Sequence, residues 1–72
     1  MSLRDAIKEY QGIAISERAN IENIYLVLRR SGIDSFEELR ASYFTNHKKL
    51  ETLRGIGPYR MKLISDMIDY FD

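Results

Sequence analysis

Apolar residues recur at spacings of three and four along most of the chain, which is typical of amphipathic helices. The first predicted helix begins at a capping pair, Ser2 and Asp5, and ends near Gly12. The second follows Ser16 and closes at Gly32, where a glycine suits the end of a helix. The apolar faces of these two helices are formed by Leu3, Ala6, Ile7 and Tyr10, and by Ile21, Ile24, Tyr25 and Leu28.

Three shorter helices follow. Ser35 and Glu38 form a capping box for the third, and Asn46 is a candidate cap for the fourth. Pro58 suits the first position of the last helix, where its missing N–H costs no hydrogen bond. Their apolar residues are Phe36, Leu39 and Tyr43, then Leu50 and Leu53, then Met61, Ile64, Met67 or Ile68, and Phe71. No useful stretch alternates apolar and polar residues, so the predicted fold class is all-α with five short helices.

Seven of the eight aromatic side chains fall into two predicted groups. Six are expected in the core: Tyr10, Tyr25, Phe36, Tyr43, Phe44 and Phe71. Tyr59 follows the last glycine turn and is expected outside, where its ring is free to contact a sugar or a protein partner.

Composition narrows the class of protein. The 72 residues form one domain, residues 1–72, and contain no cysteine, so apolar packing alone must stabilise it. The lack of disulfides favours a reducing cytoplasm over an oxidising compartment. The longest apolar run, Tyr25 to Leu28, is too short for a membrane span, so we expect no membrane partner.

Little in the chain favours catalysis. There is a single histidine, His47, and no cysteine, and no nucleophile with an accompanying base is recognisable. One histidine does not make a metal site. We therefore predict a protein that is not an enzyme, with no catalytic residues and no metal ligands.

The most informative segment is Gly55-Ile56-Gly57-Pro58, which lies between two predicted helices. Two glycines allow positive φ angles and leave the backbone bare, while Ile56 can anchor the turn between the helices. Amides at the start of the last helix then point outward beside the positive end of its dipole, where a phosphate can bind. Since Pro58 has no amide, the expected donors are Gly57, Tyr59 and Arg60.

This segment resembles the central turn of the helix-hairpin-helix family, with Leu53 and Ile64 at the family's flanking apolar positions. The resemblance implies non-sequence-specific binding of double-stranded DNA through turn amides and nearby basic side chains. The implied DNA-binding residues are Gly55, Ile56, Gly57, Tyr59, Arg60 and Lys62, with Arg54, Lys48 and Lys49 adding charge. Two residues differ from the common sequence pattern of the family: Met61 stands where the family often has a small residue, and Arg54 where it often has proline. Some relatives hold a monovalent cation on the turn carbonyls; no other cofactor is implied.

A broader resemblance covers roughly residues 20 to 72. The chain is similar to the C-terminal domain of the bacterial RNA polymerase alpha subunit and to the N-terminal domain of RadA-type recombinases, both small helical SAM-like folds. Gly32-Ile33 and Gly55-Ile56 each end one helix and lead into the next. This implies two hairpin units, a degenerate one at 20–42 and a complete one at 46–71. Asn23 and Leu26 stand where the alpha-subunit domain has its minor-groove residues, which argues against the same groove contact.

Charge supports two functional hypotheses. The chain is neutral overall, yet basic residues dominate between Arg40 and Lys62, while Asp66, Asp69 and Asp72 make the end acidic. A basic stretch around exposed amides favours a DNA-binding module for the phosphate backbone. Overall neutrality favours the alternative, a protein-interaction module that docks on a polymerase, recombinase or repair protein without binding DNA itself.

Overall fold

The computed structural model describes residues 1–72 and is built of helices. The helices are α1 (Leu3–Ile13), α2 (Arg18–Arg30), α3 (Phe36–Thr45), α4 (His47–Glu51) and α5 (Gly57–Phe71), with a short 3-10 helix at Ile15–Glu17. The predicted all-α class and the five α-helices are thus confirmed. None of these helices combines the length and the apolar character that crossing a membrane requires.

Two of the predicted helix caps are confirmed. The Ser2 hydroxyl accepts a hydrogen bond from the Asp5 amide at 3.0 Å and opens α1. Ser35 and Glu38 form a complete capping box, in which each side chain pairs with the other residue's backbone amide at 3.1 Å. Each cap satisfies amides that the first turn of a helix leaves without a partner.

The other predicted boundaries shift. α1 continues past Gly12 to Ile13, because Gly12 keeps a negative φ, and the Ala14 amide closes the helix on the Tyr10 carbonyl. α2 begins at Arg18 after the 3-10 helix rather than directly after Ser16. Asn46 precedes α4, but its side chain makes no capping bond.

The core is a single apolar cluster with α2 at its centre. α1 packs against α2, and so does α5, while α3 and α4 contact each other and join the cluster through α1 and α5. Seventeen residues are buried, and all of them are apolar. Val27 and Leu63, which the apolar faces predicted above leave out, are among them.

The prediction that Phe44 lies in the core is wrong. Its side chain is 63% exposed, whereas the neighbouring Tyr43 packs against the core. Adjacent residues on a helix point about 100° apart, so α3 turns only one of the two aromatic rings inward. Phe44 instead stacks edge-on against Tyr43, with the Arg40 guanidinium 5.6 Å from its ring centre.

Candidate nucleic-acid interface

The turn between α4 and α5 has the backbone that its two glycines predict. Gly55 has φ +100° and Gly57 has φ +63°, both in the region that favours glycine. Ile56 between them is only 3% exposed and anchors the turn in the core. A Cβ at Gly55 would also lie 2.9 Å from Val27 Cγ2, so this glycine lets the turn lie directly against α2.

Several amides of the turn have no acceptor in the protein. The amides of Leu53 and Ile56 close the turn on the carbonyls of Leu50 and Leu53, at 3.2 and 3.1 Å. Those of Gly55, Gly57 and Tyr59 make no such bond. They lie at the positive end of the α5 dipole, which favours an anion. α5 begins at Gly57, so Pro58 occupies its second position rather than the first predicted above.

The Arg60 side chain does not point outward as the predicted phosphate contact requires. Its Nη1 donates to the Gly55 carbonyl at 2.7 Å, and its Nε and Nη2 donate to Asn20 Oδ1 at 3.4 and 3.2 Å. The guanidinium therefore fastens the turn to the first part of α2. It also occupies one of the turn carbonyls, the groups on which some relatives hold a monovalent cation.

Tyr59 is 57% exposed, as expected, but its hydroxyl is engaged. It donates to Glu17 Oε2 at 2.6 Å, and the same oxygen accepts a bond from Asn20 Nδ2 at 3.3 Å. This hydrogen bond raises the pKa of the Tyr59 phenol, because losing the proton would place two negative charges together. Tyr59, Glu17, Asn20 and Arg60 thus form one polar network that joins the start of α5 to the start of α2.

Lys62 is also engaged, one turn further along α5. Its Nζ lies 3.3 Å from the Asp66 carboxylate, with which it forms an ion pair one turn apart on the surface of α5. Of the side chains predicted to contact DNA, those of Arg60, Tyr59 and Lys62 are therefore held by partners inside the protein.

The remaining predicted basic residues, Lys48, Lys49 and Arg54, make no ion pair and are exposed. Arg30, the last residue of α2, is likewise exposed and makes no ion pair. Arg30, Arg54 and Gly55 line one groove, together with Val27, Ser31 and Leu53. Lys49 lines a second groove that shares Ser31 and Leu53 with the first. A third groove shares Val27, Arg30 and Gly55 and continues to Asn23, Leu26 and Arg60.

We name the four residues Arg30, Lys49, Arg54 and Gly55 the turn surface. No acidic side chain lines any of its three grooves. Three unpaired basic side chains and Gly55, whose amide has no acceptor, therefore line adjoining grooves on one exposed face. This is the arrangement that favours a phosphate group.

Arg30 is the residue that the sequence alone does not reveal. It lies far along the chain from the glycine turn, and the two meet only because Gly55 lies directly on Val27, one turn before Arg30 on α2. The repeated Gly-Ile pairs at the ends of α2 and α4 are the one signal that could suggest this proximity.

The acidic and histidine side chains form no comparable site. No group of three or more His, Cys, Asp or Glu side chains lies close enough together to hold a metal ion. His47 instead lies against Tyr43 and 4.0 Å from Glu51 on the surface of α4.

Comparison of the chain with models of protein families, with curated proteins and with solved structures gives no match. The helix-hairpin-helix interpretation consequently depends on the residues of the turn and on its geometry alone.

Proposed function

We propose that this chain is a DNA-binding module that holds the phosphate backbone of double-stranded DNA without sequence preference. The observation that carries the proposal is the turn surface. There Gly55, whose amide is unpaired, lines a groove with the unpaired guanidinium groups of Arg30 and Arg54, and no carboxylate lines that groove. The unpaired amides of Gly57 and Tyr59 follow in the turn and the first residues of α5.

The chemistry of the turn surface fits a phosphodiester. Backbone amides at the start of a helix donate hydrogen bonds to phosphate oxygens, and the helix dipole adds favourable potential. Arginine side chains supply charge and paired donors in the planar geometry that phosphate accepts. Contacts of this kind set the position of the protein on the duplex but carry no base information, which is why sequence preference is not expected.

The residues then divide into three roles. Gly55, Gly57 and Tyr59 supply amide donors, and the side chains of Arg30, Lys48, Lys49 and Arg54 supply charge. Arg60 acts as a positioning residue, since it holds the Gly55 carbonyl and Asn20 rather than pointing to solvent. With so few contacts, the expected affinity is weak, on the order of 10⁻⁴–10⁻⁶ M, and depends strongly on salt.

The proposal also assigns the chain to the helix-hairpin-helix family and places it in the cytoplasm. The turn with two positive-φ glycines around a buried Ile56 supports a helix-hairpin-helix unit at residues 46–71. The absence of cysteine from the chain suits a reducing cytoplasm.

A second candidate function is docking on a protein partner in a polymerase, recombinase or repair assembly. The observation that favours it is Phe44, whose large apolar side chain is mostly exposed at the end of α3. Aromatic residues of this kind are frequent anchors of protein interfaces. In that case Phe44→Ala weakens partner binding while substitutions on the turn surface do not.

The proposed function is tested by fluorescence anisotropy with a labelled random duplex between about 50 and 200 mM salt. Replacing both Arg30 and Arg54 by Gln should weaken binding about tenfold and reduce the slope of log K against log salt by about two. The matched control replaces Arg29 and Arg40, which pair with Asp34 and Asp72 and line none of the grooves. Equal effects of the two double variants would reduce the proposal to general attraction between charges.

A further inference from the structure

A separate basic groove lies between α1 and α2. It is lined by Arg4, Lys8, Gln11, Gly12, Ile15 and Arg18, which we name the α1–α2 groove. It shares no residue with the three grooves around the turn surface, and again no acidic side chain lines it.

The basic side chains of this groove are not all engaged. Arg4 binds both carboxylate oxygens of Glu22 at 2.9 and 3.0 Å and lies over the Tyr25 ring. Lys8 and Arg18 are exposed and have neither an ion pair nor a side-chain hydrogen bond. Glu22 is thus paired with Arg4, and neither Lys8 nor Arg18 is held in an ion pair.

The distribution of unpaired charge in the whole molecule sets this groove apart. Six basic side chains have no partner in the protein: Lys8, Arg18, Arg30, Lys48, Lys49 and Arg54. All of them except Lys48 line a groove, and those grooves fall into only two regions. The α1–α2 groove is therefore the counterpart of the turn surface rather than one basic spot among many.

The shape of the groove suits an extended anion. Gly12 contributes no side chain, and a Cβ there would meet no atom within 4 Å, so the groove is open above the helix backbone. The Gln11 side-chain Nε2 donates to the Arg18 carbonyl at 3.0 Å and to Glu22 Oε1 at 3.2 Å, which fixes the two helices against each other along the groove. An open channel between two helices, with cationic side chains along it, fits a chain of phosphates better than a single enclosed anion.

The two basic regions lie on different sides of α2. Arg18 and Glu22 face the α1–α2 groove and its Arg4, whereas Asn23 and Val27 border the turn. Asn23 and Val27 follow Arg18 and Glu22, respectively, by five residues, which corresponds to about 140° around the helix axis. Arg18 and Arg30 are the first and last residues of α2, so about 18 Å of helix also separates the regions along its axis.

We propose that the α1–α2 groove is a second binding surface for the phosphate backbone of nucleic acid, centred on Lys8 and Arg18. The molecule then holds two stretches of backbone, one on each side of α2. The choice of ligand rests on the proposed function, since the groove presents the same chemistry as the turn surface.

The test compares two double variants by amide NMR during addition of a short random duplex. One variant replaces Lys8 and Arg18 by Gln, and the other replaces Arg30 and Arg54 by Gln. We expect amide shifts in Gly12–Arg18 that persist in the Arg30/Arg54 variant and disappear in the Lys8/Arg18 variant. We also expect the Lys8/Arg18 variant to bind about tenfold more weakly and to lower the salt slope by about two.

The outcomes separate this inference from the proposed function. Shifts confined to the turn surface overturn the second site and leave the proposed function intact. Shifts confined to Gly12–Arg18 support the second site and contradict the proposed one. If the wild-type protein shows no shifts with the duplex at low salt, both proposals are overturned. If the amides of Gly12–Arg18 shift with polyglutamate but not with the duplex, the ligand of the groove is an acidic protein segment and not nucleic acid. If a variant fails to fold, the wild-type shifts decide between these results.

Discussion

At the scale of single residues, Gly55 and Gly57 have different reasons to be glycine. Both have positive φ, but only Gly55 also lies against another helix, with Val27 Cγ2 2.9 Å from where its Cβ would be. A side chain at Gly57 meets no atom within 4 Å. Gly57 is therefore required by backbone conformation alone, and Gly55 by conformation and by packing.

This difference predicts unequal costs for two alanine substitutions. Gly57→Ala should lower the free energy of unfolding by about 1–2 kcal/mol, the cost of the left-handed conformation. Gly55→Ala should lower it by about 2–4 kcal/mol, because the contact with Val27 adds to that cost. Urea unfolding of both variants measures the difference, and equal losses would show that the turn does not lie on α2 as described.

Tyr59 offers a second test at this scale. Its hydrogen bond to Glu17 raises the pKa of the phenol, so the bond stabilises the fold below the usual tyrosine pKa. That stabilisation is lost as pH rises through the raised pKa of the folded protein. Glu17→Gln should therefore lower the pKa of Tyr59, as measured by NMR titration of its ring.

Tyr70 is the internal control for this titration. Its pKa is also raised, by a hydrogen bond to Glu9 at 3.0 Å, and Glu17→Gln leaves that bond in place. An unchanged pKa for both tyrosines would contradict the bond between Tyr59 and Glu17.

At the scale of helices, Arg60 connects the turn to α2 and should affect stability as well as binding. Arg60→Ala removes the bonds to the Gly55 carbonyl and Asn20, so we expect a loss of about 1–2 kcal/mol in unfolding free energy and weaker DNA binding. Arg54→Ala, which breaks no internal bond, should weaken DNA binding without this loss. Urea unfolding and anisotropy on the same two variants separate the roles, and a fully stable Arg60→Ala protein would rule out the positioning role.

The sequence predicts those features of the helices that depend on near neighbours. The caps at Ser2 and Ser35 and the positive φ of Gly55 and Gly57 all follow from short-range backbone chemistry, and the structure confirms them. α1 runs one residue past its predicted end near Gly12, because a glycine permits a helix end but does not impose one.

What the sequence could not predict depends on contacts between distant elements. Arg60 follows the turn in the position of a phosphate contact, yet Asn20, on another helix, offers it an acceptor. Arg30 joins the turn surface only through the packing of Gly55 on Val27. Tyr43 and Phe44 are adjacent aromatic residues, and the sequence predicts both in the core. The orientation of α3 decides that Tyr43 packs against the core and Phe44 is exposed.

At the scale of the whole molecule, the net charge is zero, but basic and acidic side chains occupy different parts of the surface. The chain carries equal numbers of basic and acidic residues, but all of its unpaired basic side chains except Lys48 border grooves that no acid lines. The acidic residues Asp66, Asp69 and Asp72 lie along the other end of α5, and two of them pair with Lys62 and Arg40. A neutral domain can therefore present a positive face to a polyanion, which net charge alone does not reveal.

In the proposed function the free amides of the turn bind phosphate, which amide NMR of the wild-type protein with a short random duplex can detect residue by residue. At low salt we predict shifts of the Gly55, Gly57 and Tyr59 amides that shrink as salt rises, with little dependence on duplex sequence. If the turn amides do not shift at low salt, the turn does not bind phosphate, and docking on a protein partner through Phe44 becomes the favoured function.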